Sequence, residues 1–182
     1  MEPLDHMTLM LDPERIREVV LDMARRIEQE VIDPLPKEEE PVLVVVMKGG
    51  FMFGSDLLRA LSRPIPVVFA HARSTASQVV MTLEDQALIR DRRLIVADIL
   101  MDSGGSLKRL CRWLMAECRP RSIQVAVLLH KTVLDPDPLH LDFLGYEVPD
   151  VRLVGYGMDE NQRYRGLPAI YTWWTPALHR GA

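Results

Sequence analysis

Two carboxylates and a cluster of small hydroxyl and glycine residues stand close together in this chain: Asp98, Asp102, Ser103, Gly104, Gly105 and Ser106. Carboxylates accept hydrogen bonds from sugar hydroxyls, and bare backbone N–H groups at the start of a helix bind phosphate. A ribose phosphate needs both kinds of group at once. Gly104 and Gly105 suit such a loop because a side chain would hold the backbone off the anion. The plainer reading is an ordinary strand–helix turn with Asp102 as the cap of the helix, and capping is compatible with a chemical role.

The elements that must position these groups follow from hydrophobic spacing. Leu94-Ile95-Val96-Ala97 before Asp98 reads as a strand buried on both faces, and Ser106 to Ala116 as a helix with Leu107, Leu110, Cys111 and Leu114 inward. Val42 to Met47 is a second β-branched run. It ends in Lys48-Gly49-Gly50, and Met52 to Leu61 then reads as a helix. Ile65 to Phe69 and Ile123 to Leu129 read as further strands, Ala70 to Gln78 as a polar loop, and Val79 to Met81 as an edge strand. Near the start, Asp12-Pro13-Glu14 opens an amphipathic helix carrying Ile16, Val19, Val20, Met23, Ile27 and Val31. Pro34 to Pro41 is a solvated connector.

Strand–helix alternation with short connections predicts an α/β domain with a mostly parallel sheet. Ligands of such sheets bind beyond the carboxyl ends of the strands, where the Lys48 and Asp98–Ser106 loops fall. Residues 1–182 are expected to form one domain, with Leu139 to Ala182 as a small appendage, or hood, near the strand ends. The net charge of −4 with interspersed signs gives no basic footprint for nucleic acid. No run approaches the ~20 apolar residues of a membrane span, and the Met1 end lacks a signal-peptide pattern. Cys111 and Cys118 are two helical turns apart, about 10 Å, too far for a disulfide. A soluble, cytoplasmic protein is expected.

Several stretches in order resemble the purine phosphoribosyltransferases, and among them the hypoxanthine-guanine type. Leu94 to Leu107 is similar, without a gap, to that family's motif for phosphoribosyl pyrophosphate. Met47 to Phe51 resembles its pyrophosphate loop. Asp142 to Asp150, Val154 to Asp159 and Arg163 to Pro168 continue the likeness. The resemblance implies a type I phosphoribosyltransferase-like fold and transfer of phosphoribose to a nucleobase, hypoxanthine or guanine by default, with magnesium. It implies that Ser103, Gly104, Gly105 and Ser106 bind the 5′-phosphate, Asp98 the ribose, and that Asp102 is the general base. Lys48, Gly49, Arg165 and Ser74 would hold pyrophosphate, with a cis Met47–Lys48 peptide. His140, Arg152, Leu153 and Asp159 would meet the base, and Asp159 also the magnesium ion. A homodimer or homotetramer is implied as well.

Four positions depart from the family's pattern. Ile99 replaces the second acid of the ribose pair and cannot accept a hydroxyl. His140 stands where the resemblance places a lysine for the purine 6-oxo group, or is simply an exposed loop histidine. Arg152 replaces a stacking aromatic: its plane could stack on a base, pair with a charged substituent, or point to solvent. The mobile loop is cut to Arg73–Gln78, with Thr75 in place of tyrosine, which leaves less to exclude water. The departures keep three other readings open: a nucleotide-binding regulator on the same scaffold, an enzyme for a different heterocycle, and an unrelated phosphate-binding α/β domain.

Overall fold

The computed structural model describes residues 6–74, 79–132 and 138–174. Five strands form the parallel part of the main sheet: β2 (Val42–Met47), β3 (Val67–Ser74), β5 (Arg93–Met101), β6 (Ser122–Lys131) and β7 (Phe143–Val148). An antiparallel edge strand, β4 (Val79–Leu83), completes the order β4-β3-β2-β5-β6-β7. The expected mostly parallel α/β architecture is therefore what this chain adopts.

Alternate residues of the central strands enter different cores, which explains their unbroken apolar runs. Leu43, Val45, Ile95, Ala97, Ala126 and Leu128 pack on one face under α1 (Pro13–Ile27) and α2 (Phe51–Ala60). Val42, Val44, Leu94, Val96, Val125 and Val127 pack on the other with Leu107, Leu110 and Leu114 of α3 (Gly105–Trp113) and the turn after it. The start of α1 is as its sequence indicated. Asp12 accepts a hydrogen bond from Arg15 N at 2.7 Å, and proline follows it.

From β2 the chain steps one way along the sheet to β3, and from β5 it steps the other way to β6 and β7. The direction reverses between β2 and β5, which leaves a crevice outside their carboxyl ends.

Several elements differ from their sequence reading, among them β5, which runs past Asp98 to Met101. Residues 70–74, part of the expected polar loop, continue β3, because their backbone pairs antiparallel with the edge strand β4. β6 runs two residues past Leu129 and ends at Lys131. β7, expected in the appendage, belongs to the main sheet as its parallel edge. The separate small sheet has the order β1-β9-β8 and joins β1 (Met7–Leu11), with no strand signal of its own, to β9 (Ile170–Trp173) and β8 (Arg152–Val154). Residues 75–78 of the shortened loop lie outside the described residues. No helix among the described residues is long and apolar enough to cross a membrane.

The seat of α2 on β2 is tight, and this matters because both flank the Lys48 loop. A Cβ on Gly54 would lie 2.6 Å from both Val45 Cγ atoms. Gly54→Ala is expected to push α2 off the sheet and destabilise the protein by about 1–3 kcal/mol, read as a lower midpoint in thermal unfolding. An unchanged midpoint would contradict this packing.

Candidate active site at the carboxyl ends of the strands

β5 delivers Asp102 and the loop Ser103–Ser106 to the crevice. Gly104 has φ 72° and is the N-terminal cap of α3. This left-handed conformation is one that glycine adopts without steric penalty. It turns the chain so that the loop presents backbone N–H groups at the positive end of the helix. Ser103 and Ser106 are exposed. Arg109, one turn along, donates from Nη2 to Ser106 Oγ at 3.3 Å, and its Nη1 lies 3.5 Å from where a Gly105 Cβ would be. The guanidinium therefore covers the start of the helix and adds positive charge to an anion site. Because Ser106 Oγ accepts from Arg109, its own proton remains available to donate.

β2 ends at a cis Met47–Lys48 peptide, the conformation expected from the resemblance. Lys48 is exposed and Gly49 half-buried. The loop carrying Asp159 and Arg165 packs against this turn. A Cβ on Gly157 (φ 100°) would collide with the Gly49 carbonyl oxygen, so only glycine permits the approach. Arg165 donates from Nη1 to the Gly157 carbonyl at 2.7 Å, and its Nη2 lies 2.6 Å from Asp159 Oδ1. Asp159 Oδ2 accepts from Gln162 N at 2.8 Å. Lys48, Gly49, Asp159 and Arg165, far apart in sequence, thus share one corner of the crevice.

β6 brings a residue that the sequence reading left without a role. Lys131 is 8% exposed, and its Nζ lies 3.1 Å from Asp102 Oδ2 and 3.0 Å from Asp150 Oδ1. Burial works to lower its pKa, but hydrogen bonds to Asp150 and Asp102 outweigh this and the net shift is upward. An ammonium is thereby held charged beside the candidate base. The sequence signal was the lysine closing the apolar run Val125–Leu129 after one intervening histidine.

Other expected site residues are placed differently. Asp98 is half-buried and turns its carboxylate back on its own chain, accepting from Ile99 N at 2.7 Å and from the Leu100 backbone. Burial raises its pKa to about 7 despite those bonds. Ile99 is buried, 3.1 Å from where a Gly49 Cβ would be, so the residue in place of the expected acid packs under the Lys48 turn.

His140 is not in the crevice. Its side chain is 87% exposed, 3.9 Å from Asp142, and it lines a cavity of about 730 Å³ with Ser122 and Ile123 at the opposite end of β6. The strand's length, roughly 30 Å, separates the two ends. The position is set by the chain entering β7 at its amino end, so the expected base contact is corrected. The ammonium in the crevice is that of Lys131.

Arg152 is exposed and ion-paired with Glu160, and its cross-strand partner is Trp173. Leu153 is buried in the small sheet. The Ser74 side chain lies outside the described part of the structure.

A glycine-rich helix start and a lysine–arginine corner at the ends of adjacent parallel strands are features that suit a phosphoribosyl donor, and the sequence agrees. It matches the phosphoribosyl transferase domain over residues 14–161, and the chain belongs to the phosphoribosyltransferase family. It is 32% identical over 170 residues to the hypoxanthine-guanine phosphoribosyltransferase of Aquifex aeolicus, covering 90% of this chain and 92% of that one. It is 30% identical over 168 residues to the hypoxanthine phosphoribosyltransferase of Escherichia coli, covering 89% and 92%. Among solved structures, it is similar to a Trypanosoma cruzi hypoxanthine phosphoribosyltransferase variant complexed with the product IMP. That match has a TM-score of 0.85 and 26% identity, over 96% of this chain and 94% of the other. A Bacillus anthracis hypoxanthine-guanine phosphoribosyltransferase gives a TM-score of 0.81 at 28% identity, over 92% and 97%.

The raised pKa of Asp98 has a consequence for stability. Between the ordinary carboxylate range near 4 and about 7, the folded protein holds a proton on Asp98 that the unfolded chain releases. This group's contribution is therefore greatest in acid and is lost as pH rises to about 7. Asp98→Asn keeps an acceptor for Ile99 N without the buried charge. Relative to wild type, it should gain stability in denaturant titrations as pH goes from 5 to 8. Parallel pH profiles for the two proteins would contradict the burial of this carboxylate.

Proposed function

We infer that this protein is a purine phosphoribosyltransferase of purine salvage, joining a 6-oxopurine to phosphoribosyl pyrophosphate to give a nucleoside 5′-monophosphate and pyrophosphate. The observation that carries the base assignment is the 3.1 Å pair between Lys131 and Asp102 at the ends of adjacent strands. A 6-oxopurine presents its ring N7 and exocyclic O6 on one edge. Asp102 would take the proton from the ring nitrogen while Lys131, which can only donate, would bind O6. Adenine carries an amino donor at that place and would face the ammonium with a donor.

The remaining roles follow the corners of the crevice. Ser103, Gly104, Gly105 and Ser106 would bind the 5′-phosphate, with Arg109 adding charge. Lys48, Gly49 and Arg165 would bind the pyrophosphate, and its release would break the C1–oxygen bond as the C1–nitrogen bond forms. Asp102 would hold the proton that the base gives up. Positioning of the two reactants supplies much of the rate.

Among the described residues no cluster of three metal-ligating side chains occurs. Magnesium is commonly held by one or two carboxylates together with waters and substrate phosphates. Asp159 is the carboxylate at the pyrophosphate corner and would share the ion with the donor's oxygens. When bound, magnesium would supply neutralisation of the charge on the departing pyrophosphate.

We also propose that the protein is cytoplasmic and forms a homodimer or homotetramer, as its likeness to the hypoxanthine-guanine phosphoribosyltransferases implies; a monomer by light scattering would exclude the assembly.

Turnover with a panel of bases tests the assignment. Hypoxanthine and guanine should be used, with adenine worse by roughly 10²-fold or more. Asp102→Asn should lower kcat by roughly 10²–10⁴-fold, and Lys131→Gln should lower kcat/KM for 6-oxopurines most. No turnover with any 6-oxopurine would overturn the reading.

A further inference from the structure

We propose that the hydrogen bond from Tyr156 to Asp56 is a strap that sets the pyrophosphate corner, making both positioning residues for the phosphoribosyl donor. The inference rests on the transferase reading above and goes beyond it, because neither side chain belongs to the groups assigned to substrate.

The Tyr156 hydroxyl donates to Asp56 Oδ2 at 2.6 Å, and the ring is buried. Asp56 also pairs with Arg59, so its carboxylate is fixed from two sides. Asp56 lies in the second turn of α2, the helix that begins directly after Lys48-Gly49-Gly50. Tyr156 lies one residue before Gly157, whose backbone abuts the Gly49 carbonyl and accepts from Arg165 at 2.7 Å. One bond thus joins the helix behind the pyrophosphate loop to the loop in front of it.

The tail loop needs such an anchor. Gly155, Tyr156 and Gly157 have φ values of 94°, 48° and 100°, three successive residues in the left-handed region. That conformation is unfavourable for tyrosine and persists where the surroundings enforce it. Burial first, and Asp56 second, raise the phenol's pKa, so the hydroxyl remains a donor. Without the strap the loop could relax its backbone. Gly157, Asp159 and Arg165 would then move relative to Lys48, while Asp102 and Lys131, carried on β5 and β6, would not.

The consequence is a split between substrates, which a purely structural role would not produce. Steady-state kinetics and thermal unfolding of the full chain should be compared for wild type, Tyr156→Phe, Asp56→Ala, Asp56→Asn and the Phe/Ala double variant. Tyr156→Phe should raise KM for phosphoribosyl pyrophosphate about tenfold or more, the scale of a lost hydrogen bond to a charged group. KM for hypoxanthine should stay within about twofold. Asp56→Ala should match it, and the double variant should be no worse than either single change. Asp56→Asn, which keeps an acceptor, should recover most of the affinity. Equal changes in both KM values, or a lowered melting temperature with donor KM within twofold, would overturn the strap. If Tyr156→Phe does not fold, the contrast between Asp56→Ala and Asp56→Asn decides alone. Absence of transfer by the wild type would instead overturn the functional reading.

Discussion

A parallel sheet buried on both faces can present polar groups only where its strands end, and that constraint organises this protein. Val42–Val45 and Leu94–Ala97 have no solvated face on which to carry chemistry. The first places at which β2 and β5 can carry polar groups toward a ligand are their carboxyl termini, and the sheet reverses its winding between these two strands. The Lys48 turn and the Asp102–Ser106 turn therefore open on one crevice. The parallel pairing of β6 with β5 sets Lys131 level with Asp102 in the same way, because the register holds to Met101 and His130.

The charges in the crevice are arranged in two groups. Asp102, Lys131 and Asp150 form an acid–ammonium–acid row, with the ammonium nearly out of solvent. An unpaired charge there would be costly, and the two carboxylates resolve this while using two of the ammonium's three donors. At the anion corners cations and backbone dipoles predominate: Arg109 over the α3 N-terminus, Lys48, and Arg165 held by Asp159 and the Gly157 carbonyl. A neutral heterocycle suits the first group and the two phosphate ends of the donor suit the second.

Much of this was legible in the sequence because continuous β-branched runs and small-residue turns report local physics. The span of β2, the cap at Asp12 and the Gly104 turn follow from residue type alone, whereas β5 continues past Ala97 and Asp98 to Met101. What was not legible depends on tertiary partners. Lys131 follows an apolar run that reads as ending at Leu129, and only its pairing with Asp102 and Asp150 explains a buried lysine in a strand. His140 was assigned through resemblance in a loop, where spacing carries little information, and the structure puts it at the far end of β6. β1 was invisible because its partner, β9, lies at the other end of the chain. Ile99 reads in the sequence as a missing acid, but its packing beneath Gly49 depends on a tertiary contact with the β2 turn.

The central claim is that β5 and β6 place one base edge against Asp102 and Lys131, with its phosphate on Ser103–Ser106. A crystal structure with inosine 5′-monophosphate bound tests it most directly. The account expects the 5′-phosphate within hydrogen-bond distance of the Ser103–Ser106 backbone, the ring nitrogen facing Asp102 and the 6-oxo group within about 3 Å of Lys131 Nζ. A base lying against Arg152 or His140, with Lys131 still closed on its two carboxylates, would contradict it.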